Sequence, residues 1–313
     1  MKNTSKKKGE ISGIFVVDKP EGVTSREIDN RIKKIAKPSK VGHLGTLDPF
    51  AGGVLPILIG SATRLADYLD EQPKVYTATI AIGISTDTWD ITGDVDDVDD
   101  ASKLPDELIL EALLSFEGEI TQKIPPYSAA KRGGKRSYDL ARKGESSHPG
   151  TKRVTVYKFE NIQIARDIKE YEPGKKIQFA FINFILECSR GTYVRSIAFE
   201  LGERLKMPAT LVYLRRINAS GFSDNIATKI DSVDDKTLEK SLKDKIISPR
   251  YALPHLPEII LNDQLAEKVK NGFQLRFDGA PGRYKLIHND SLLALAEKSD
   301  GDHKLKYLCV LAI

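Results

Sequence analysis

The chain of 313 residues contains only two cysteines, Cys188 and Cys309, and they stand far apart in sequence. That excludes a disulfide framework and a cysteine-based zinc site as its organising device. Long apolar runs are missing as well: nothing approaches the roughly 18 consecutive apolar residues of a membrane span. The N-terminus is basic, with Lys6-Lys7-Lys8, but no apolar segment follows that would make it a secretion signal. The triplet reads as a solvated tail, and the chain reads as soluble and cytoplasmic. A large excess of one sign of charge is absent too, since 48 Lys and Arg stand against 44 Asp and Glu and the net value is only +4.

The length allows two domains and a substantial core. Distribution of charge says more than its total. Residues 123 to 153 hold nine Lys or Arg against Asp139 and Glu145, whereas residues 87 to 119 hold twelve acids against Lys103. The first stretch invites phosphate and the second repels it.

The chain is organised around the loop Gly42-His43-Leu44-Gly45-Thr46-Leu47-Asp48-Pro49-Phe50-Ala51-Gly52-Gly53. Its glycines permit positive φ or close approach of the backbone, and Pro49 fixes the chain just after Asp48. The bland reading is a turn in which the aspartate bonds a nearby amide. Against it stands the apolar strand Val54 to Ile59, which puts a carboxylate at the mouth of the core, where it needs a cation or a chemical role. Phosphoryl-transfer chemistry would want further oxygen ligands for magnesium, and no second carboxylate lies within ten residues downstream. A glycosidase-like second carboxylate could come from anywhere in the chain, so that layout stays open. A single aspartate acting as a nucleophile without a metal is the remaining layout.

Around this loop, Gly13 to Asp18 reads as a strand ended by Lys19-Pro20. Thr24 and Glu27 carry a capping-box spacing ahead of a helix with Ile28, Ile32 and Ile35 on one face. A helix is predicted around Ala62 to Leu69, then an alternating strand from Val75 to Ile82 that includes Tyr76. The acidic Asp87 to Asp94 fails the EF-hand pattern, with Val95 and Ala101 where Gly and Glu are required, and the rest of the acidic run reads as a solvated loop. A helix from about Pro105 to Phe116 precedes the basic segment. There Lys131, Arg132, Lys135 and Arg136, interleaved with Tyr127 and Tyr138 and loosened by Gly133-Gly134, suit phosphates and a splayed base. Strands over Val154 to Ile164 and Ile177 to Cys188, joined through Pro173-Gly174, lead to a helix with Ile197, Ala198 and Leu201. Arg195 at its start is the best cation available for Asp48. Tyr213 to Ile217 reads as a core strand. Pro249, Pro254 and Pro257 mark a boundary, giving domains 1–250 and 251–313.

The loop, with Ala51-Gly52-Gly53-Val54-Leu55-Pro56 after it, resembles the catalytic signature of the bacterial tRNA pseudouridine synthase B family. Asp18-Lys19-Pro20-Glu21-Gly22, Lys74-Val75-Tyr76, Arg190 to Ser196 and Tyr213-Leu214-Arg215-Arg216 match further motifs in the same order. The resemblance spans roughly residues 12 to 220. It implies an α/β (α+β) fold with a mixed, mainly antiparallel sheet and flanking helices, followed by a small β-rich, PUA-like RNA-binding domain. It implies conversion of a T-loop uridine of tRNA, the family's position 55, to pseudouridine, with no metal and no cofactor. Asp48 would be the nucleophile, attacking either C6 of the base or C1′ of the ribose. Tyr76 would stack on the flipped base and is a candidate to take the C5 proton, ahead of Tyr193. Arg195 would hold Asp48; Tyr193 and Leu214 would line the pocket, and His43 would hold the RNA open. Lys19 and Pro20 would buttress the loop, and Asp90 would help to organise it. The insertion near residues 123–153 would close over RNA, mobile when free and ordered when bound.

The expected partner is therefore the T-stem-loop of tRNA, read by a monomer without an obligatory protein partner or membrane. Two rivals remain: a non-catalytic tRNA-binding or folding protein, and a guide-dependent synthase acting on another RNA. Retention of Asp48, Tyr76 and Arg195 argues against the first, and the basic insertion argues for direct reading of tRNA.

Overall fold

The computed structural model describes residues 11–126, 131–132, 135–136 and 150–311. In chain order its first half consists of β1 (Gly13–Lys19), α1 (Ser25–Ile35), β2 (Val41–His43), β3 (Gly52–Ile59), α2 (Ala66–Leu69), β4 (Lys74–Ile82), β5 (Ile84–Thr86), β6 (Val95–Val98), α3 (Asp106–Leu114) and β7 (Gly118–Lys123). Then come β8 (Lys131–Arg132), β9 (Lys135–Arg136), β10 (Thr151–Glu172), β11 (Lys175–Cys188), α4 (Val194–Leu205), β12 (Ala209–Ala219), β13 (Phe222–Ser223), β14 (Thr228–Lys229) and α5 (Asp235–Lys245). The last part holds β15 (Glu258–Ile260), α6 (Asp263–Lys270), β16 (Gly282–His288), β17 (Ser291–Lys298) and β18 (Lys306–Val310).

A ten-stranded sheet runs β14-β1-β3-β12-β4-β11-β10-β7, with β2 beside β3 and β13 beside β12. Its ladders are antiparallel except β1 with β14 and β3 with β12. The smaller sheet runs β15-β16-β17-β18. This is the expected mixed, mainly antiparallel α/β architecture with a β-rich C-terminal part.

Strand alternation decides what each face meets. On β1, Phe15 and Val17 pack with Leu55 and Ile57 against Ile28 and Ile32 of α1 and Leu238 and Leu242 of α5. Each such buried side chain is worth about 1.5–3 kcal/mol. The alternate residues Ile14 and Val16 face a cluster that joins Leu65 and Leu69 to Leu292 and Leu295 of the small sheet, so the two sheets share core. A further cluster packs Ile80, Ile182 and Leu186 against Ile197 and Leu201 of α4. The capping box of α1 forms as spaced, with Thr24 and Glu27 each accepting from the other's backbone N–H.

Three local expectations need correction. Residues Gly60–Leu65 form a 3-10 turn and only Ala66–Leu69 is α-helical; six residues are too few for periodicity to tell the two apart. Within the acidic run, Val95–Val98 pairs with Ile84–Thr86 as a two-stranded ribbon. Strand β10 continues to Glu172, well past Ile164, because its last residues pair with β11 as a hairpin. Tyr127, Tyr138 and Gly133-Gly134 lie outside the described residues. Of Lys131, Arg132, Lys135 and Arg136 the structure describes the backbone, as the antiparallel pair β8 and β9.

Candidate active site

Asp48 sits on the loop between β2 and β3, and the loop is tied down along its length. Ser25, the first residue of α1, accepts the Leu47 N–H through Oγ at 2.9 Å and donates to the Leu47 carbonyl at 3.1 Å. Leu44 N–H donates to Pro56 O at 2.9 Å, and Gly22 N–H to Pro49 O at 2.8 Å. Lys19, fully buried, directs its ammonium to the carbonyls of Pro20 (2.8 Å), Val23 (2.6 Å) and Pro49 (3.2 Å). Burial lowers the Lys19 pKa to about 8, and the nearby Asp48 carboxylate opposes that fall. A buried ammonium with three carbonyl acceptors is a structural clamp on the backbone of Pro49.

Arg195 reaches Asp48 from the first turn of α4, with Nη2 donating to Oδ1 at 3.0 Å. The Arg195 side chain is 4% exposed, while 34% of the Asp48 side-chain surface opens on the cleft. Nη1 of Arg195 also faces Asp90 Oδ2 at 3.4 Å and donates to Thr88 O at 3.3 Å. Asp90 in turn accepts from Thr88 Oγ1 and the Thr92 N–H, both at 3.0 Å. Although one side of Asp48 is open, the protein crowds its carboxylate, and burial raises its pKa above the ordinary carboxylate range. Arg195 pulls it back down, and Asp90 pushes it further up. The result is a carboxylate aimed by an arginine yet short of solvent stabilisation, which suits a nucleophile.

Behind the loop, β4 and β12 pair with Tyr76 opposite Arg216 and Ala78 opposite Leu214. Residues two apart on a strand share a face, so Tyr76, Leu214 and Arg216 reach the same cleft. Its volume is about 290 Å³, and Asp48, Lys74 and Tyr193 also line it. Arg216 is fully buried; its Nε donates to Val54 O and its Nη2 to Gly45 O, both at 2.8 Å. Gly45 has φ of 63°, and a Cβ there would lie 2.9 Å from Lys74 Cε and 3.0 Å from Arg216 Nη1. Glycine is required both for the turn and for that close approach. Burial pushes the Tyr76 phenol up to about 12, while Arg216, which shares a hydrogen bond with it, works in the opposite direction.

The structure brings Asp48, Tyr76, Arg195, Tyr193 and Leu214 to one cleft region, with Lys19 beneath the loop and Asp90 behind Arg195. Pro20 lies at the end of β1, its carbonyl taken by Lys19. His43 stands apart on β2, where Nδ1 bonds Asp29 at 2.7 Å and Nε2 bonds Thr46 at 3.0 Å. A glycosidase-like pair gains no support from Asp70, a further carboxylate on the cleft wall, because it is bonded to the Lys74 ammonium at 2.8 Å.

Two contributors went unassigned from sequence. Arg216 was signalled only by its place two residues after Leu214 on one strand. Gln122 exchanges hydrogen bonds with the backbone of Tyr193 (3.2 and 2.7 Å) and so sets the start of α4; a buried Gln on an otherwise polar strand gives no local signal.

The sequence matches the family model described as TruB family pseudouridylate synthase (N terminal domain) over residues 33–194. It is 36% identical to the tRNA pseudouridine synthase B of Bacillus licheniformis, covering 91% of this chain and 89% of that protein. It is 37% identical to the protein of the same name from Clostridium perfringens, covering 96% and 99%. Among solved structures, a chain from a Cbf5-Nop10-Gar1 complex superposes with a TM-score of 0.65 at 24% identity, over 97% of this chain and 86% of that one, which attests the fold. With an arginine-held aspartate on the signature loop, these matches lead to one assignment. The chain belongs to the TruB family of pseudouridylate synthases.

Proposed function

We propose that this protein isomerises a T-loop uridine of tRNA, position 55, to pseudouridine. The observation that carries the reading is the Asp48 carboxylate, held at 3.0 Å by Arg195 beside Tyr76 in a small cleft. Near-full-length similarity to proteins named tRNA pseudouridine synthase B supplies the substrate. The reaction breaks the bond from ribose C1′ to N1 of uracil and forms one from C1′ to C5. The C5 proton leaves and N1 gains one, so the composition of the RNA is unchanged. The uridine must first leave its stack, at roughly a few kcal/mol, and the ring of Tyr76 offers a replacement face.

Asp48 then either displaces N1 of uracil from C1′ or adds across the C5=C6 bond at C6; the covalent link lets the base turn, and it breaks to return the carboxylate once C5 is joined to C1′. Arg195 keeps the carboxylate ionised and aimed. With its pKa pushed up to about 12, the Tyr76 hydroxyl keeps its own proton at neutral pH in the free protein. Its ring is therefore assigned the stacking role, and removal of the C5 proton by its oxygen is the part to be tested separately. Tyr193 and Leu214 shape the pocket, His43 supports the loop that meets RNA, and Lys131, Arg132, Lys135 and Arg136 contact its phosphates. We further infer a cytoplasmic monomer that needs no protein partner, with residues 251–313 adding RNA contacts to a catalytic domain over 1–250. Incubation of the purified protein alone with an unmodified tRNA transcript, followed by mapping of pseudouridine, tests the reading. Product at the T-loop uridine is expected. Tight binding without product would instead identify an RNA-binding protein that lacks the chemistry.

A further inference from the structure

Strand β10 outruns its partner. Pairing with β11 ends at Val156 opposite Cys188, while Thr151 to Thr155 continue alongside β7 alone. The edge thus uncovered faces the turn Ser189 to Gly191, to which it is joined by Thr155 N–H to Ser189 Oγ at 2.9 Å and Ser189 N–H to Thr155 O at 2.8 Å. Between strand edge and turn lies a groove of about 590 Å³ lined by Lys152, Arg153 and Arg190, with Asp70 and Glu119 also on its walls. None of the three cations has an ion-pair partner among the described residues, whereas Lys123 and Lys158 on the same two strands pair with Glu203 and Glu160. Unpaired cations gathered in a groove favour a polyanion.

Two features connect the groove to the cleft. Asp70 and Gly191 line both. Lys152 also crosses the groove so closely that a Cβ on Gly191, whose φ is 77°, would lie 1.8 Å from its Nζ. The ammonium therefore rests on the backbone that leads, four residues later, to Arg195.

We propose that this groove is the track for the sugar-phosphate chain adjoining the extruded nucleotide, with Lys152, Arg153 and Arg190 neutralising its phosphates. The proposal rests on the RNA-modifying reading given above. A nucleotide turned into the cleft draws its flanking phosphates to the cleft's edge, and the groove begins there. Glu119 would repel phosphate, but as an acceptor it suits a ribose 2′-hydroxyl. Asp70 is already compensated by Lys74.

The test is binding of an unmodified T-stem-loop RNA across a salt series, with single-turnover kinetics, for wild type, Lys152→Ala, Arg153→Ala, Arg190→Ala and the triple variant. Each lost phosphate contact should reduce the slope of log affinity against log salt by about 0.7 and weaken binding about tenfold at low salt. The RNA concentration at half-maximal rate should rise in step, while the saturating rate falls much less. Lys243→Ala, whose lysine pairs with Glu239 on α5, should move neither quantity. If the triple variant folds poorly, the single variants carry the test. Unchanged affinity and slope in all of them would overturn the proposal even with a fully active wild type. An inactive wild type whose groove variants bind more weakly would instead overturn the reading of the reaction and keep the groove.

Discussion

Two arginine–carboxylate pairs, one in each sheet region, end in opposite states. In the C-terminal region Glu258 accepts from Arg250 through both oxygens, at 3.1 and 2.7 Å, and faces Lys285 at 3.1 Å. Hydrogen bonds from Arg250, then from Lys285, hold its pKa down to about 2. In the cleft, Arg195 gives Asp48 an N–H at 3.0 Å while also facing Asp90 at 3.4 Å, and burial wins, raising the Asp48 pKa. The same two chemical groups make a settled structural link in one place and the nucleophile we propose in the other. What separates them is how much water and how many donors the carboxylate keeps.

Replacing the two carboxylates should separate the roles most sharply. Asp48→Asn and Asp48→Ala should lower product formation by about 10⁴-fold or more with tRNA affinity nearly intact, since neither side chain can form the covalent link. Measurable turnover by purified Asp48→Ala would sink the assignment. Glu258→Gln should leave the rate near wild type and act on stability instead. With its folded pKa below the unfolded value, Glu258 contributes stability that is present above about pH 4.5 and lost as pH falls towards 2. Melting curves across that window should show the acid-side loss in wild type and a smaller one in the variant.

Next in size is Arg195→Ala, expected to cost about 10²–10³-fold, the scale of removing one preorganised electrostatic partner. Because Arg195 lowers the Asp48 pKa, its loss should also move the acid limb of the rate to higher pH. A wild-type rate in this variant would break the proposed pair. Tyr76→Leu should cost about 1–3 kcal/mol of binding through lost base stacking. Tyr76→Phe keeps the ring, so it should bind as wild type does; a severe slowing of its chemical step would assign the C5 proton to the hydroxyl.

The features legible in the sequence were those governed by short-range rules. Thr24 and Glu27 announced α1, and the continuous apolar run after Gly53 announced β3. The Asp48–Arg195 pair, 147 residues apart, was located by the family motif Arg190 to Ser196, and the need of a half-buried carboxylate for a cation gave it a physical reason. Arg216, although it stands in the strand motif with Leu214, received no role because a fully buried arginine is rare. Its acceptors are backbone carbonyls supplied by the loop and by β3. The far end of β10 escaped because Arg166, Asp167, Lys169 and Glu170 leave no apolar alternation, so the ribbon is specified by backbone pairing with β11. The groove along its other end depends on where β11 stops, which no single strand's pattern reveals.

The smallest expected effect gives the most direct test, because Asp90 influences Asp48 without touching substrate. Its carboxylate raises the Asp48 pKa, so Asp90→Asn should change the plateau rate only a few-fold, about 1 kcal/mol or less, while moving the acid limb to lower pH. The measurement is the single-turnover rate of pseudouridine formation on an unmodified tRNA transcript as a function of pH, for wild type and Asp90→Asn. The account predicts that the wild-type rate rises with pH through one ionisation above the ordinary aspartate range, and that Asp90→Asn shifts this rise downward. A wild-type rate independent of pH across the acid range, or a limb that Asp90→Asn leaves in place, would contradict it.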